Sequence, residues 1–419
     1  MKLLLLFNTV PGVVRSAISG KKEAARNWMD AAVDSLRQNP EVKLRLLCLG
    51  NGFTEGKIDG NLSFCLFPCK KNWRKAPELE PLFKNQLEEF RPDVIHIWGT
   101  EYPHTLAMVR VCRECDFLER TVISIQGLCS ACALCYTSGL PAHVVYGFTL
   151  RDVLRMDNVR QQQKKFALRG KNELEALKLA RHVIGRTPWD YALTEKANPD
   201  RQYHFCNETL RAPFYGGAWR YAGCTRHRIF ASSCVYPIKG FHFLLEAAAQ
   251  AAKIYPDLTI AVPGKSFLNL SGKERLREDW YHRYLRKLAE QYGLEHKITF
   301  LGNCSAEEMK AAFLDANVFV LPSTAENSPN SLGEAMLLGV PCVASDVGGI
   351  STLMQSGQEG LVVPSADSAA LADAICRVFA LEDQAEAMGR AAHNHAAVTH
   401  DPEKNLTDLL AIYRRLQAD

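Results

Sequence analysis

Two successive α/β units, each a parallel sheet covered by helices, are predicted by three features of this chain. Short apolar runs alternate with longer helical patterns from end to end, the arrangement of parallel strands joined by crossover helices. A length of 419 residues suits two or three domains of about 100–200 residues each. The stretch RAPFYGGAWR at 211–220 combines proline, paired glycines and aromatics without periodicity, and marks the join. The predicted domains are therefore 1–212 and 213–400, with a last helix in 401–419 that can pack on either unit.

The elements follow in order. MKLLLLFNTVPGVV has an apolar core, Leu3–Phe7, shorter than the roughly 7–15 residues of a secretory h-region, and Pro11 follows soon after. Lys2–Phe7 is therefore read as a first buried strand. Val42–Cys48, Val94–Ile97, Val122–Ile125 and His182–Gly185 continue the first set, with helix patterns at Lys22–Arg37 and Pro77–Phe90. The second set of strands is Arg228–Ser232, Leu258–Val262, Lys297–Leu301, Val318–Leu321, Cys342–Ala344 and Leu361–Val363. Its helices include Phe243–Ile254, Glu274–Gln291 and Ala306–Asp315, the last opened by the capping box SAEE at 305–308. A final helix, Leu406–Leu416, follows THDPEK. Two such sheets facing each other would leave a ligand cleft at the carboxyl ends of their strands.

Composition narrows the function. A chain 47% hydrophobic and 23% charged has ordinary globular cores. Its net charge of +4 is too small to indicate nucleic acid as a partner. Residues 151–230 nevertheless hold 16 Lys/Arg against 8 Asp/Glu, a local excess that suits an anionic ligand, an anionic membrane face or simply a solvated surface. No apolar stretch approaches the roughly 20 residues of a membrane span, so a cytoplasmic chain is expected. Of 14 cysteines, Cys48, Cys342 and Cys376 sit singly in apolar patterns, where a thiol is a small hydrophobe. Cys112 and Cys115, then Cys129, Cys132 and Cys135, form two groups with metal-like spacing, open to a metal reading or to buried thiols.

The densest constellation is ENSPNSLGEAMLLGVP at 326–341. Val318–Leu321 is a strand ended by Pro322, and Ser323–Asn330 form a loop. Ser331 with Glu334 satisfies a capping box for a helix Leu332–Leu338 that Gly339 closes. The same strand–loop–helix places free amides and a positive dipole end at Asn330–Gly333, a natural seat for phosphate. Glu334 would sit one turn in, where a carboxylate can accept two ribose hydroxyls, with Glu326 at the loop entry near a second polyol. Either reading, capped turn or ligand site, accounts for the two glutamates.

Glu-x7-Glu followed by AMLLGVPCVASDVGGISTLM and GQEGLVVP resembles the signature of the retaining glycosyltransferases of family 4, which have the GT-B fold of two Rossmann-like domains. The resemblance covers most of residues 225–380. PDVIHIWGTEYPHTL, VISIQGL, HVIGRTPWDYA and YHFCNETLR resemble, more loosely, bacterial enzymes that build surface polysaccharides. The resemblance implies a retaining, metal-independent hexosyltransferase whose donor is a nucleotide-diphosphate sugar. It assigns Glu334 to the donor ribose, Glu326 to the donor sugar, and the amides of Asn330, Ser331 and Leu332 to the diphosphate. Lys239 in YPIKG would neutralise the leaving phosphate, and Gly264 in AVPGKS would begin the base-side loop. GKS is no P-loop, GNGFTEG misses the dinucleotide pattern by one residue, and no D-x-D occurs, so no metal and no cofactor beyond the donor are expected.

Three departures accompany the likeness. The arginine the family carries before that lysine is missing from FASSCVYPIK, leaving Arg226, Arg228 or Lys265 as substitutes. Ala24 and Ala25 in KKEAARNW stand where the family has a glycine pair, and alanine penalises positive φ. Gln126 replaces a histidine and can bond sugar hydroxyls but cannot act as a base. Glu101, His104, Arg186 and Thr187 follow first-unit strands and are acceptor-side candidates, while His96 is read as a core histidine. The acceptor implied is a saccharide or lipid-linked saccharide, with peripheral contact at the inner membrane face. The rival expectation is a non-catalytic sugar-nucleotide-binding or assembly-partner protein on the same scaffold.

Overall fold

The computed structural model describes residues 1–21, 28–69 and 74–418. It divides into two compact units: Met1–Ala133 with Lys165–Arg211 and His400–Asp419, and Leu134–Lys164 with Ala212–Thr399.

The first unit holds an eight-stranded sheet. Its strands are β1 (Lys2–Phe7), β2 (Lys43–Gly50), β3 (Thr54–Lys57), β4 (Leu62–Pro68), β5 (Val94–Trp98), β6 (Thr121–Ser124), β7 (His182–Gly185) and β8 (Gln202–Phe205). Their order is β3-β4-β2-β1-β5-β6-β7-β8, parallel throughout except for the β3–β4 hairpin. Alternation along β1 explains its unbroken apolar run: Leu3, Leu5 and Phe7 enter one core and Leu4 and Leu6 the other. Each buried leucine contributes roughly 2 kcal/mol. Three strands escaped the sequence reading. β3 and β8 are polar and lie at the sheet's edges, so neither carries a long apolar run, while β4 (LSFCLFP) is an apolar strand additional to those the sequence predicts.

The last helix, Pro402–Ala418, belongs to this first unit. Its Tyr413 hydroxyl lies 2.6 Å from His96 Nδ1, while Ser124 Oγ lies 2.6 Å from Nε2. His96 is thus a satisfied core histidine. Burial, with no carboxylate to offset it, lowers its pKa to about 3.

The second unit holds β9 (Arg228–Phe230), β10 (Thr259–Val262), β11 (Ile298–Phe300), β12 (Val318–Leu321), β13 (Cys342–Ser345) and β14 (Leu361–Val363). All pair in parallel in the order β11-β10-β9-β12-β13-β14. Residues 134–164, assigned to the first domain by the boundary at 212, cluster here instead. Polar bonds fasten them: the Trp280 amide donates to Asp152 Oδ2 at 2.9 Å and Thr324 Oγ1 to the Cys135 carbonyl at 3.2 Å. Linear patterns carry no mark of such docking. The helix expected over Glu274–Gln291 is two, Gly272–Arg275 and Trp280–Tyr292, because the Asp279 carboxylate caps the second by accepting from the His282 amide. The capping box at Ser305 and Glu308 is present.

Candidate functional site

Three adjacent strands, β9, β12 and β13, bring their carboxyl-end loops together in the second unit. After β9 comes the turn Pro237–Lys239, closed by Gly240 at φ +67°. After β12 the chain runs through Pro322–Pro329 into the helix Asn330–Leu337, and after β13 it turns at Gly348, φ +57°. Close backbone approach holds these loops in register. A Cβ on Gly240 would lie 1.8 Å from the Pro322 carbonyl oxygen, and one on Gly348 would lie 1.6 Å from the Glu326 carbonyl oxygen. The Thr324 amide donates to the Ile238 carbonyl at 2.8 Å, and the Gly349 amide to that of Asn327 at 3.0 Å.

That framework positions a charged pair. Lys239 Nζ donates to Glu326 Oε1 at 2.6 Å, and Ser323 Oγ donates to the same oxygen at 2.8 Å. Glu326 keeps a tenth of its side chain exposed and Lys239 about a third, so both remain reachable. Glu334 lies one turn into the helix and is 2% exposed.

The helix begins two residues earlier than the capping box requires. Pro329 is its N-cap and no side chain caps it, so the Ser331–Glu334 box does not form. Ser331 Oγ instead meets Ser232 Oγ at 3.3 Å. Asn330 and Ser331 are the first two helical positions, whose amides have no carbonyl one turn back. The Leu332 amide donates to the Pro329 carbonyl at 3.0 Å, so of the three expected phosphate donors it is already engaged. Asn330 Oδ1 is buried with no hydrogen-bond partner.

Gly264 follows β10 at φ +111°, and its amide donates to the Gly302 carbonyl at 2.8 Å. Around it a pocket is lined by Lys265, Phe267, Arg277, Asp279 and His282, among others. Burial alone would lower the His282 pKa, but the Asp279 carboxylate 2.7 Å away and the Cys234 thiol raise it to about 10. Of the three substitutes for the missing arginine, Arg226 and Arg228 lie at the amino end of β9, the wrong end for this site, and Arg228 pairs with Asp315. Lys265 is at a carboxyl end.

The first-unit candidates separate into two clusters. Beyond β5, Glu101 Oε2 accepts from Asn8 Nδ2 at 2.8 Å and Oε1 from the Gly127 amide at 3.2 Å. His104, fully buried, places Nε2 2.9 Å from Asn8 Oδ1. Burial lowers its pKa to about 3. Beneath them, buried Glu173 accepts from the Cys129 and Ser130 amides and the hydroxyls of Ser130 and Thr100, holding the start of the helix Cys129–Cys135. Burial first, then the Glu173 carboxylate, push the Glu101 pKa from 4.5 to about 7. In that window the folded chain holds a proton that the unfolded chain releases, so stability falls as pH rises through it. Glu101→Gln, neutral at every pH, is expected to flatten the decline of the urea midpoint between pH 5 and pH 7; an unchanged slope would remove Glu101 as its source.

The second cluster joins Gln126, Arg186 and Glu208. Gln126 Nε2 and Arg186 Nη1 each donate to a Glu208 oxygen at 2.5 Å, and Arg186 Nη2 lies 3.4 Å from Gln126 Oε1. Arg186 and Thr187, expected to open toward a ligand, are 5% and 2% exposed. Thr187 caps the helix Pro188–Ala197 by accepting from the Asp190 amide. The Arg186 guanidinium is neutralised by Glu208, since a buried guanidinium is tolerated only beside a carboxylate. Glu208, Glu173, Asn8 and Ser323 were not singled out from sequence; the first three find partners far along the chain through the fold, and Ser323 reaches Glu326 three residues on. Cys112 lies buried in the helix Pro103–Glu114, and Cys115 follows it. Among the described residues no three His, Cys, Asp or Glu side chains gather as metal ligands. Ala24 and Ala25 lie outside the described residues, among which no helix is long and apolar enough to cross a membrane.

Comparison with known proteins agrees with the fold of both units. Residues 225–395 match the family model described as glycosyl transferases group 1. D-inositol 3-phosphate glycosyltransferase of Corynebacterium urealyticum is 34% identical over 179 residues, 43% of this chain and 41% of that protein. A putative colanic acid biosynthesis glycosyltransferase, WcaL of Salmonella typhimurium, is 42% identical over 98 residues, 22% of this chain and 24% of that protein. The chain thus matches less than half the length of either relative. Among solved structures, sucrose-phosphate synthase from Thermosynechococcus elongatus superposes with a TM-score of 0.72 at 18% identity, covering 100% of both chains. Anabaena HepE, solved with UDP-glucose, superposes at 0.65 and 16% identity over 98% of this chain and 99% of its own. The chain therefore has the two-unit, parallel-sheet GT-B fold, and its residues 225–395 resemble the group 1 glycosyl transferases.

Proposed function

We propose that this chain is a retaining glycosyltransferase that moves a sugar from a nucleotide-diphosphate sugar to a hydroxyl acceptor in bacterial surface polysaccharide or glycolipid assembly. One observation carries the reading: Lys239, Glu326 and Ser323 meet at the mouth of the helix Asn330–Leu337, with Glu334 buried one turn inside it. The amides of Asn330 and Ser331 and the helix dipole would hold the diphosphate, with Leu332 contributing once its amide is released. Glu334 would take the ribose hydroxyls, the Gly264 loop the base, and Glu326 the donor sugar. Lys239 would leave Glu326 to neutralise the departing phosphate, with no metal required. The acceptor oxygen bonds the anomeric carbon as the bond to the phosphate oxygen breaks, and the acceptor proton passes to that phosphate. This route needs no side-chain base, consistent with Gln126 in the histidine's place. Glu101 and Gln126, only half-buried, are the proposed contacts to a saccharide or lipid-linked acceptor. The likeness to WcaL, named for colanic acid biosynthesis, supports the polysaccharide assignment.

A thermal-shift screen against UDP-, GDP-, ADP- and TDP-sugars tests the reading. A cognate donor at a hundred times its Kd should stabilise the fold by about 2.7 kcal/mol, and nucleotide should be released when acceptor is added. No shift with any donor would reject the proposal. A shift without transfer across an acceptor panel would favour a non-catalytic binding protein.

A further inference from the structure

Residues 146–156 invert the usual order of burial. Thr149 and Asp152 form a capping box for the short helix Leu150–Arg155. Its carboxylate is the buried part: Asp152 is 1% exposed, accepts from the Trp280 amide at 2.9 Å and pairs with Arg151. Trp280 Nε1 donates to the His143 carbonyl at 3.1 Å, and Gly147 sits so close to the indole that a Cβ would lie 2.1 Å from Nε1. The segment is therefore held firmly on the helix Trp280–Tyr292 by polar atoms.

Its apolar side chains face the other way. Leu150, Val153 and Leu154 stand at i, i+3 and i+4, one helical face, and are 64%, 52% and 78% exposed. Tyr146, Phe148 and Met156 flank them at 65%, 61% and 65%. These are six of the twenty large apolar side chains exposed among the described residues, gathered in one short stretch. Scattered exposure needs no cause, whereas a contiguous patch marks a surface that something covers.

Charge identifies what covers it. The exposed Lys and Arg of 141–164 are Arg155, Arg160 and Lys164. The acids of the segment are withdrawn, Asp152 by burial and Asp157 by pairing with Arg151 at 3.5 Å. A second copy meeting this patch across a two-fold axis would bring the same cations toward their counterparts. Anionic lipid satisfies both features, since apolar side chains enter the headgroup boundary while lysine and arginine meet the phosphates. We propose that residues 146–156 are a docking face for the surface of an anionic bilayer. The proposal stands whether or not the chain transfers sugars.

Sedimentation of the full chain with vesicles tests it without donor or acceptor. The protein should pellet with phosphatidylcholine–phosphatidylglycerol vesicles, pellet less with phosphatidylcholine alone, and be released as salt rises. Leu150→Ser/Leu154→Ser should weaken partitioning by about tenfold per leucine with an unchanged thermal midpoint, because neither side chain is packed. Failure of the wild type to bind anionic vesicles, or equal binding by the variant, would overturn the proposal. So would light scattering that shows a lipid-free dimer which the variant turns monomeric, since the patch would then belong to a second copy.

Discussion

Glu326→Ala is expected to abolish sugar transfer, by roughly a thousandfold or more in kcat, while leaving the fold intact. The carboxylate organises two partners, Lys239 at 2.6 Å and Ser323 at 2.8 Å, at the mouth of the helix where the donor diphosphate is proposed to sit. Its removal would leave Lys239 without its resting partner and the donor sugar without its contact. Stability should change by about 1 kcal/mol or less, since a partly exposed ion pair contributes little. Glu326→Gln separates the two roles: the amide oxygen can still accept from Ser323, but it cannot neutralise Lys239. Steady-state kinetics with circular dichroism of the same samples decide the matter. Turnover near the wild-type rate in Glu326→Ala would remove this residue from the mechanism.

Gly348→Ala is expected to cost about 3 kcal/mol of stability and to reduce transfer by about a hundredfold. Gly348 combines φ +57° with a would-be Cβ 1.6 Å from the Glu326 carbonyl oxygen, which is backbone and cannot rotate away. The loop carrying Glu326 must shift by more than an ångström, and that displacement misaligns the acid. Gly357→Ala is the control, with φ +84° but nothing within 4 Å. It should cost only the left-handed strain, about 1 kcal/mol, and leave transfer unchanged. Urea unfolding and initial rates on the three proteins distinguish clash from strain. Equal behaviour of the two variants would mean that the close approach of these loops does not position Glu326.

Much of the architecture was legible because a strand covered on both faces must be apolar nearly throughout. β1, β7, β12 and β14 lie where the runs Lys2–Phe7, His182–Gly185, Val318–Leu321 and Leu361–Val363 predicted. The polar edge strands β3 and β8 were not legible, since strand pairing rather than composition creates them. The candidate site divided similarly. Glu326, Glu334 and Lys239 were identifiable from local motifs, but the start of their helix was misplaced because Ser331 and Glu334 satisfy a capping pattern they do not use. Arg186, Thr187 and His104 are more buried than their place in the sequence suggests, for one reason: a polar residue after a strand reads as exposed until the side chains that bury it are known.

By itself, the sequence determined the two parallel sheets, their crossover helices and the residues of the second-unit loops, all of which depend on neighbours a few positions apart. Tertiary structure alone decided that Lys239 meets Glu326 across 87 positions, that Arg186 is neutralised by Glu208, and that residues 134–164 pack with the second unit and turn leucines outward. Periodicity records which face of an element is buried. Ion pairing, backbone contact and docking depend on side chains far apart in the chain, and only the folded arrangement brings those together.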